Sequence, residues 1–192
     1  LDRDNNAYFS VSHHFKCYLE AWPQQQELPS EEQLKQMQSM PMNLISETKT
    51  QEARCLLQLR NLGDEGQAII EFLKLQSRKV DLVLHHVMEQ EQQDNDCYLG
   101  IKFGGSGVII ESEQPLEIDQ CFKTSLYIRD QLVAIMAMAM VTDCRQKPDS
   151  PLFIVELSFC VILDADIEQL VKASLGVQQK QLRLRQQNRQ SS

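Results

Sequence analysis

The sequence has six cysteines but no Cys-x-x-Cys pair, and it is short of aromatic residues, at 6% with a single tryptophan. Scattered thiols without paired spacing give neither a zinc knuckle nor a disulfide framework, and they suit reduced, buried cysteines in a cytoplasmic protein. Basic charge is also lacking: 19 Lys and Arg stand against 27 Asp and Glu, for a net charge of -8. A net acidic surface argues against general nucleic-acid binding, which depends on clustered cations. No uninterrupted apolar run approaches the roughly 20 residues of a spanning helix, and no signal peptide is visible. A soluble, cytoplasmic chain without a membrane span is therefore expected. Nucleophilic chemistry has no foothold either: there is no Gly-x-Ser-x-Gly elbow, and no cysteine carries a local activation signature. The chain is expected not to be an enzyme.

What is present begins with alternation. Phe9, Val11, His13, Phe15, Cys17, Leu19 and Ala21 alternate with mostly polar neighbours within Tyr8 to Trp22, the period of a half-buried strand. Similar runs recur near Tyr98 to Phe103, Gly107 to Ser112, Cys121 to Ile128, Leu132 to Val141 and Leu152 to Leu163. Short strands separated by polar turns predict a small antiparallel barrel, whose closure removes exposed edges. Met136, Met138 and Met140 occupy one face of the fourth of these later runs opposite small alanines, and methionine there reads as adaptable core filler. Cys144 to Pro151, with two prolines and Asp149-Ser150, reads as a hairpin turn.

Between the first strand and the rest lies a helical stretch. Ser30 three residues before Gln33 forms a capping box for a short helix bearing Leu34 and Met37, with Pro41 expected to end it. A second helix is expected from Ser46 to Leu62, capped by Gly63. Asp64 and Gln67 then open a longer one reaching Gln90. Along it Ile69, Leu73, Gln76, Val80, Val83 and Val87 recur in steps of four and three, a heptad seam with Gln76 as its polar member. Phe72, Leu75 and Leu82 form a second stripe beside it. Two stripes are more than one shallow packing surface needs, so the helix meets either another subunit or a second surface of its own chain. Glu89 to Asp96 reads as a linker. Asp164 or Asp166 caps the last helix, which packs through Ile167, Leu170, Val171, Ser174 and Leu175 and turns basic at Lys180, Arg183, Arg185 and Arg189.

Other constellations have plain readings. Gly104-Gly105-Ser106-Gly107 lacks the Lys-Ser/Thr ending and the following helix of a phosphate loop, and reads as a tight turn. His13-His14 and His85-His86 are adjacent pairs, whose side chains diverge on a strand or helix, so no metal site is expected.

The order of a first strand, a glycine turn, Pro115-Leu116, a long central strand and an acidic-capped helix with a basic end resembles the PilZ domain, the bacterial receptor module for cyclic di-GMP. The resemblance covers Tyr8 to Trp22 and Cys97 to about Gln187. It implies a mostly β fold with added helices: residues 1–22 and 97–192 as a PilZ-like barrel with a terminal helix, and 23–96 as a helical insertion. Some atypical members carry such helices and associate by heptads into a tetramer, which makes Ile69, Leu73, Gln76, Val80, Val83 and Val87 the expected oligomerisation seam.

The family's first nucleotide motif, Arg-x-x-x-Arg before the opening strand, retains only Arg3 here, with Ala7 four residues on. Its second, Asp or Asn-x-Ser-x-x-Gly, retains only Gly107, with Lys102 and Gly104 at the other two positions. Such losses remove several charge-assisted hydrogen bonds worth roughly 1.5–3 kcal/mol each, against the roughly 8 kcal/mol of micromolar binding. The resemblance thus implies a signalling or motility adaptor that self-associates, needs no cofactor and lacks the usual cyclic di-GMP binding. The alternative is an atypical receptor that holds the nucleotide through Arg3 and the basic helix around Arg183 and Arg185.

Overall fold

A computed structural model of the chain describes residues 10–59, 63–91 and 96–190. Its strands are β1 (Val11–Ala21), β2 (Asp96–Phe103), β3 (Gly107–Ser112), β4 (Cys121–Ile128), β5 (Val133–Gln146) and β6 (Phe153–Val161). All neighbours are antiparallel, and they close into a barrel in the order β1-β2-β3-β6-β5-β4. The helices are α1 (Glu31–Met37), α2 (Met40–Leu59) and α3 (Gly63–Glu91), inserted between β1 and β2, and α4 (Asp164–Gln190) after the last strand. Two compact units result, Leu1–Gln36 with Asn95–Ser192, and Met37–Asp94. No helix among the described residues is long and apolar enough to cross a membrane.

Alternation fills the barrel. Val11, Phe15, Cys17 and Leu19 of β1 meet Phe103, Val108, Ile110, Phe122, Leu126, Val155 and Leu157 in one core. His13 departs from the expected inward row, because the β1–β2 register slips between Ser12 and Phe15. Such a slip is what a bulge produces, and it re-aims the side chains within it. On β5 the core receives Val133, Ile135, Ala139 and Val141. The methionines take the opposite face, so they do not fill the barrel interior. Met136 and Met138 are nonetheless buried, as are the outward Tyr18 and Tyr127, whose rings meet edge to face at 5.6 Å. The wall is therefore apolar on both sides over this stretch.

α4 closes one end of the barrel with Leu170, Ala173 and Val177, which join the core. A Cβ on Gly105 would lie 3.1 Å from Val171 Cγ2 and 3.4 Å from Ile167 Cγ2, so the glycine turn packs under the first turns of this helix. In the inserted region, Ser30 and Gln33 make the reciprocal capping box: Ser30 N–H donates to Gln33 Oε1 at 2.8 Å and Gln33 N–H to Ser30 Oγ at 3.3 Å. Pro41 does not end a helix. It occupies the first turn of α2, where the missing N–H costs no hydrogen bond, and α2 begins at Met40, six positions before the expected Ser46. Gly63 is the first residue of α3, the expected end of α2 at Leu62 lies outside the described residues, and so do the side chains of Ala53 and Leu56. α2 lies against α3.

Gly107 is required by close approach. Its Cβ would sit 2.2 Å from the carbonyl oxygen of Leu157 on β6, and a backbone atom in a closed barrel cannot retreat cheaply. Gly107→Ala is expected to lower stability by roughly 1–3 kcal/mol, as overpacking does. Gly105→Ala, which meets only side-chain methyls, should lose less in the same urea titration.

Candidate functional site

The register places Lys102 and Gly107, two positions aligned with the second nucleotide motif, on one stretch of the outer wall. Ser12 pairs with Lys102, Lys102 with Ile109, and Ile109 with Glu156, one row across β1, β2, β3 and β6. Beside this row is a cleft of about 180 Å³ lined by residues that include Ser10, Lys102, Ser106, Gly107 and Glu156. The turn above it is held by Gly104 N–H donating to Gly107 O at 3.0 Å and by Phe159 N–H donating to Ser106 O at 2.9 Å. Gly107 thus lies in the wall of the cleft. The chemistry is another matter. Lys102 supplies donors where a guanine edge reader supplies acceptors, and Glu156 opposes any phosphate that Lys102 attracts. The cleft is also smaller than the roughly 300–1,000 Å³ of ordinary ligand pockets.

Arg3 lies outside the described residues. Arg183 and Arg185 are exposed on α4. At about 100° per residue they project roughly 200° apart, so their guanidinium groups share no face. α4 does approach the start of β1, since Gln181 Nε2 donates to Ser12 O at 2.8 Å.

That contact belongs to a polar cluster with no signal in the sequence. A 3-10 turn at Arg129–Gln131 follows β4, and Leu132 ends it in the left-handed region at φ 51°. Its Asp130 accepts from His13 Nε2 at 2.8 Å and from Gln131 Nε2 at 3.1 Å. The His13 ring also stands edge to face on Phe103, with centroids 6.1 Å apart. Burial alone pushes the Asp130 carboxyl up, but the hydrogen bonds from Gln131 and His13 and the charges of His13 and Lys180 outweigh it and hold it below its usual range. Lys180 is on α4, so the cluster joins β1, the turn and the terminal helix. His13 and Asp130 are 117 positions apart, a separation that no local pattern encodes.

The second candidate site is on α3. The seam residues Ile69, Leu73, Val80, Val83 and Val87 are 53%, 43%, 57%, 62% and 39% exposed, and Phe72, Leu75 and Leu82 beside them are 58%, 52% and 36% exposed. Gln76 is half-buried, and the buried apolar positions of the helix are Ile70 and Met88. Neither stripe is buried among the described residues. Together the eight large apolar side chains cover about half of the helix circumference, more than an isolated surface helix presents to water.

A closed antiparallel barrel, a helical insertion after its first strand and a terminal helix over one end together decide the fold. The chain has the PilZ-domain fold. A solved pathogenic protein from Xanthomonas campestris, described as a tetrameric PilZ domain self-assembled through an unusual helical bundle, superposes with a TM-score of 0.53 at 12% identity, covering 91% of this chain and 90% of that one. The Bacillus subtilis inhibitor of motility MotI/DgrA (TM-score 0.42, 15% identity) covers 46% of this chain and 44% of its own. Apo MrkH from K. pneumonia (TM-score 0.43, 13% identity) covers 46% and 43%. No protein-family model and no curated protein matches the sequence. Within this PilZ fold, Lys102 and Gly107, two of the positions aligned with the second nucleotide motif, line the cleft, and Glu156 lines it with them.

The depressed carboxyl of Asp130 sets a pH signature. A lowered folded pKa contributes stability that is present above the unfolded value of about 3.9 and fades as pH falls through the folded value. Asp130→Asn should therefore be less stable than the parent at neutral pH, with the gap in thermal midpoint closing at more acid pH. An unchanged gap down to pH about 2 would show that the carboxylate's ion pairing is not its source.

Proposed function

We propose that this chain is a non-enzymatic PilZ-type adaptor that self-associates through the outward apolar face of α3, as a tetramer, and does not take cyclic di-GMP in the usual way. The observation that carries this reading is the exposure of both apolar stripes on α3. Fully burying one exposed side chain of this kind contributes about 1.5–3 kcal/mol, and although these are partly covered already, eight of them at 36–62% exposure still hold free energy for association. A narrow seam of two positions per heptad suits a dimer. A face widened by Phe72, Leu75 and Leu82 touches two neighbours at once, which favours four helices. The tetrameric Xanthomonas protein, with the same fold over nine-tenths of both chains, supports the stoichiometry.

The nucleotide part of the reading rests on the cleft. Lys102 stands where the second motif has its Asp or Asn, and Glu156 lines the same cleft; of the paired guanidinium clamp only Arg3 remains, and one guanidinium cannot stack and pair bidentately from two sides. The adaptor's partner is a signalling or motility protein, as the family resemblance implies. The second reading is an atypical receptor using Arg3 with Arg183 or Arg185. It is favoured only by the approach of α4 to Ser12.

Light scattering on the purified chain should give a mass near four chains, and Val80→Asp should shift it to monomer while the far-UV circular dichroism is retained. A monomeric parent would remove the assembly. Calorimetric titration with cyclic di-GMP should give no heat; a tight saturable isotherm abolished by Arg183→Glu would establish the receptor reading in its place.

A further inference from the structure

The outer wall of the barrel carries sulfur atoms that no single stretch of sequence brings together. β4, β5 and β6 run side by side, with Cys121 paired to Met140 and Met140 paired to Ser158. Met138 pairs with Lys123 on one side and Val161 on the other, and the register slips between Met138 and Ala139, leaving Cys160 next to them on β6. Phe122, Ala139 and Leu157 point into the core. The alternate residues Cys121, Met138, Met140 and Cys160 therefore share the outer face. The thiols of Cys121 and Cys160 interact across β5, and each also donates to a carbonyl near it, Cys121 to Asp119 O at 3.9 Å and Cys160 to Ser158 O at 3.7 Å.

Two ordinary uses of paired thiols do not fit. The cysteines are separated by an intervening strand, about 9.6 Å at the usual strand spacing, whereas a disulfide needs Cα atoms within roughly 6.8 Å. A redox-sensing thiol needs a depressed pKa, but burial and the neighbouring Cys121 push the Cys160 thiol up. Zinc fits no better, since its closed sites take four ligands from Cys, His and carboxylates, and no group of three or more such residues stands together among the described residues. What remains is two thiols and two thioethers, the soft donors that select Cu(I).

We propose that Cys121 and Cys160, with the thioethers of Met140 and Met138, form a binding site for one soft monovalent metal ion of the Cu(I) class. On binding, each thiol releases its proton to water and its sulfur bonds to the metal. The methionine sulfurs add neutral donors, and no electron is transferred. Cys160 is exposed while Met138 is buried, so the ion enters from the Cys160 side and comes to rest against the methionine layer. Proton release makes the affinity rise with pH.

Ag(I) serves as the probe because it is stable in air. The full chain with Cys55→Ser and Cys97→Ser, which removes two other exposed thiols, is titrated with Ag(I) against a competing thioether chelator and in parallel with Zn(II). One Ag(I) per chain and a raised thermal midpoint are expected, with little response to Zn(II). Adding Cys160→Ser should weaken binding by more than the ~10–100-fold that loss of an outer-shell partner costs. Met140→Leu, which keeps the volume and hence the apo stability, should weaken it by less. An unchanged competition curve for Cys121→Ser/Cys160→Ser, or equal affinity for Zn(II), would overturn the proposal.

Discussion

The structure depends on β1 hydrogen-bonding along both of its edges. Lys16 through Leu19 face Leu99 through Asp96 on one side and Tyr127 through Thr124 on the other, and without that double pairing the sheet would be open at β2 and β4. Closure also explains how the chain accommodates a helical unit. Because β1 and β2 are antiparallel neighbours, with Leu19 opposite Asp96, the insertion leaves and re-enters the barrel at nearly one point. The entropic cost of a longer connection grows only with the logarithm of its length, so a helical hairpin in this loop burdens the barrel little. The barrel's strands are already paired with one another, so the helical unit draws no hydrogen bonds from them, and its own apolar surface must be satisfied elsewhere.

That requirement divides α3 into two sides. Ile70, His85 and Met88 are buried, while Ile69, Leu73, Val80 and Val83 are not. Adjacent numbers such as 69 and 70 lie about 100° apart on a helix, so two interleaved series in steps of three and four describe two different faces. One face is used within the chain and the other is left over. Periodicity in the sequence marks the 69-to-87 series and the stripe of Phe72, Leu75 and Leu82 but not the buried series of Ile70, His85 and Met88, because which positions are spent at home depends on where the neighbouring elements come to lie. The exposure of the 69-to-87 series is the fact that only coordinates supply.

The same distinction runs through the rest of the chain. The strands of the barrel and the capping box at Ser30 were legible because the information is local: alternation, a hydroxyl three residues before an amide, a glycine turn. Pro41 misleads for a physical reason, since the constraint that forbids proline inside a helix permits it in the first turn, and sequence order alone does not separate a stop from a start. The methionines were legible as buried but not as outward-facing, because both faces of β5 are covered and alternation then has no polar side to mark the exterior. Asp130 was not legible at all. Its partners His13, Gln131 and Lys180 come from a strand, a turn and a helix, and only the closed fold makes them neighbours.

The cleft and the sulfur face show what a barrel wall does with such neighbours. Alternation leaves the inside nearly apolar, with the buried Thr124 hydroxyl satisfied by Phe122 O, since an unpaired polar group there would be buried without water, so the rows of side chains open to a ligand lie on the outer surface. Where a row is Ser12, Lys102, Ile109 and Glu156, one positive and one negative side chain stand two strands apart along it. Where it is Cys121, Met140 and Ser158 with Cys160 close by, the donors are soft and uncharged, and a cation that replaces two thiol protons gains bonds that no hydrogen-bonding ligand could make there. One scaffold with one register rule thus presents a row bearing Lys102 and Glu156 on β2, β3 and β6 and a sulfur-rich one on β4, β5 and β6. The difference between them lies only in which residues occupy equivalent outward positions, and so the identity of a ligand on this wall must be argued row by row and cannot be inherited from the fold.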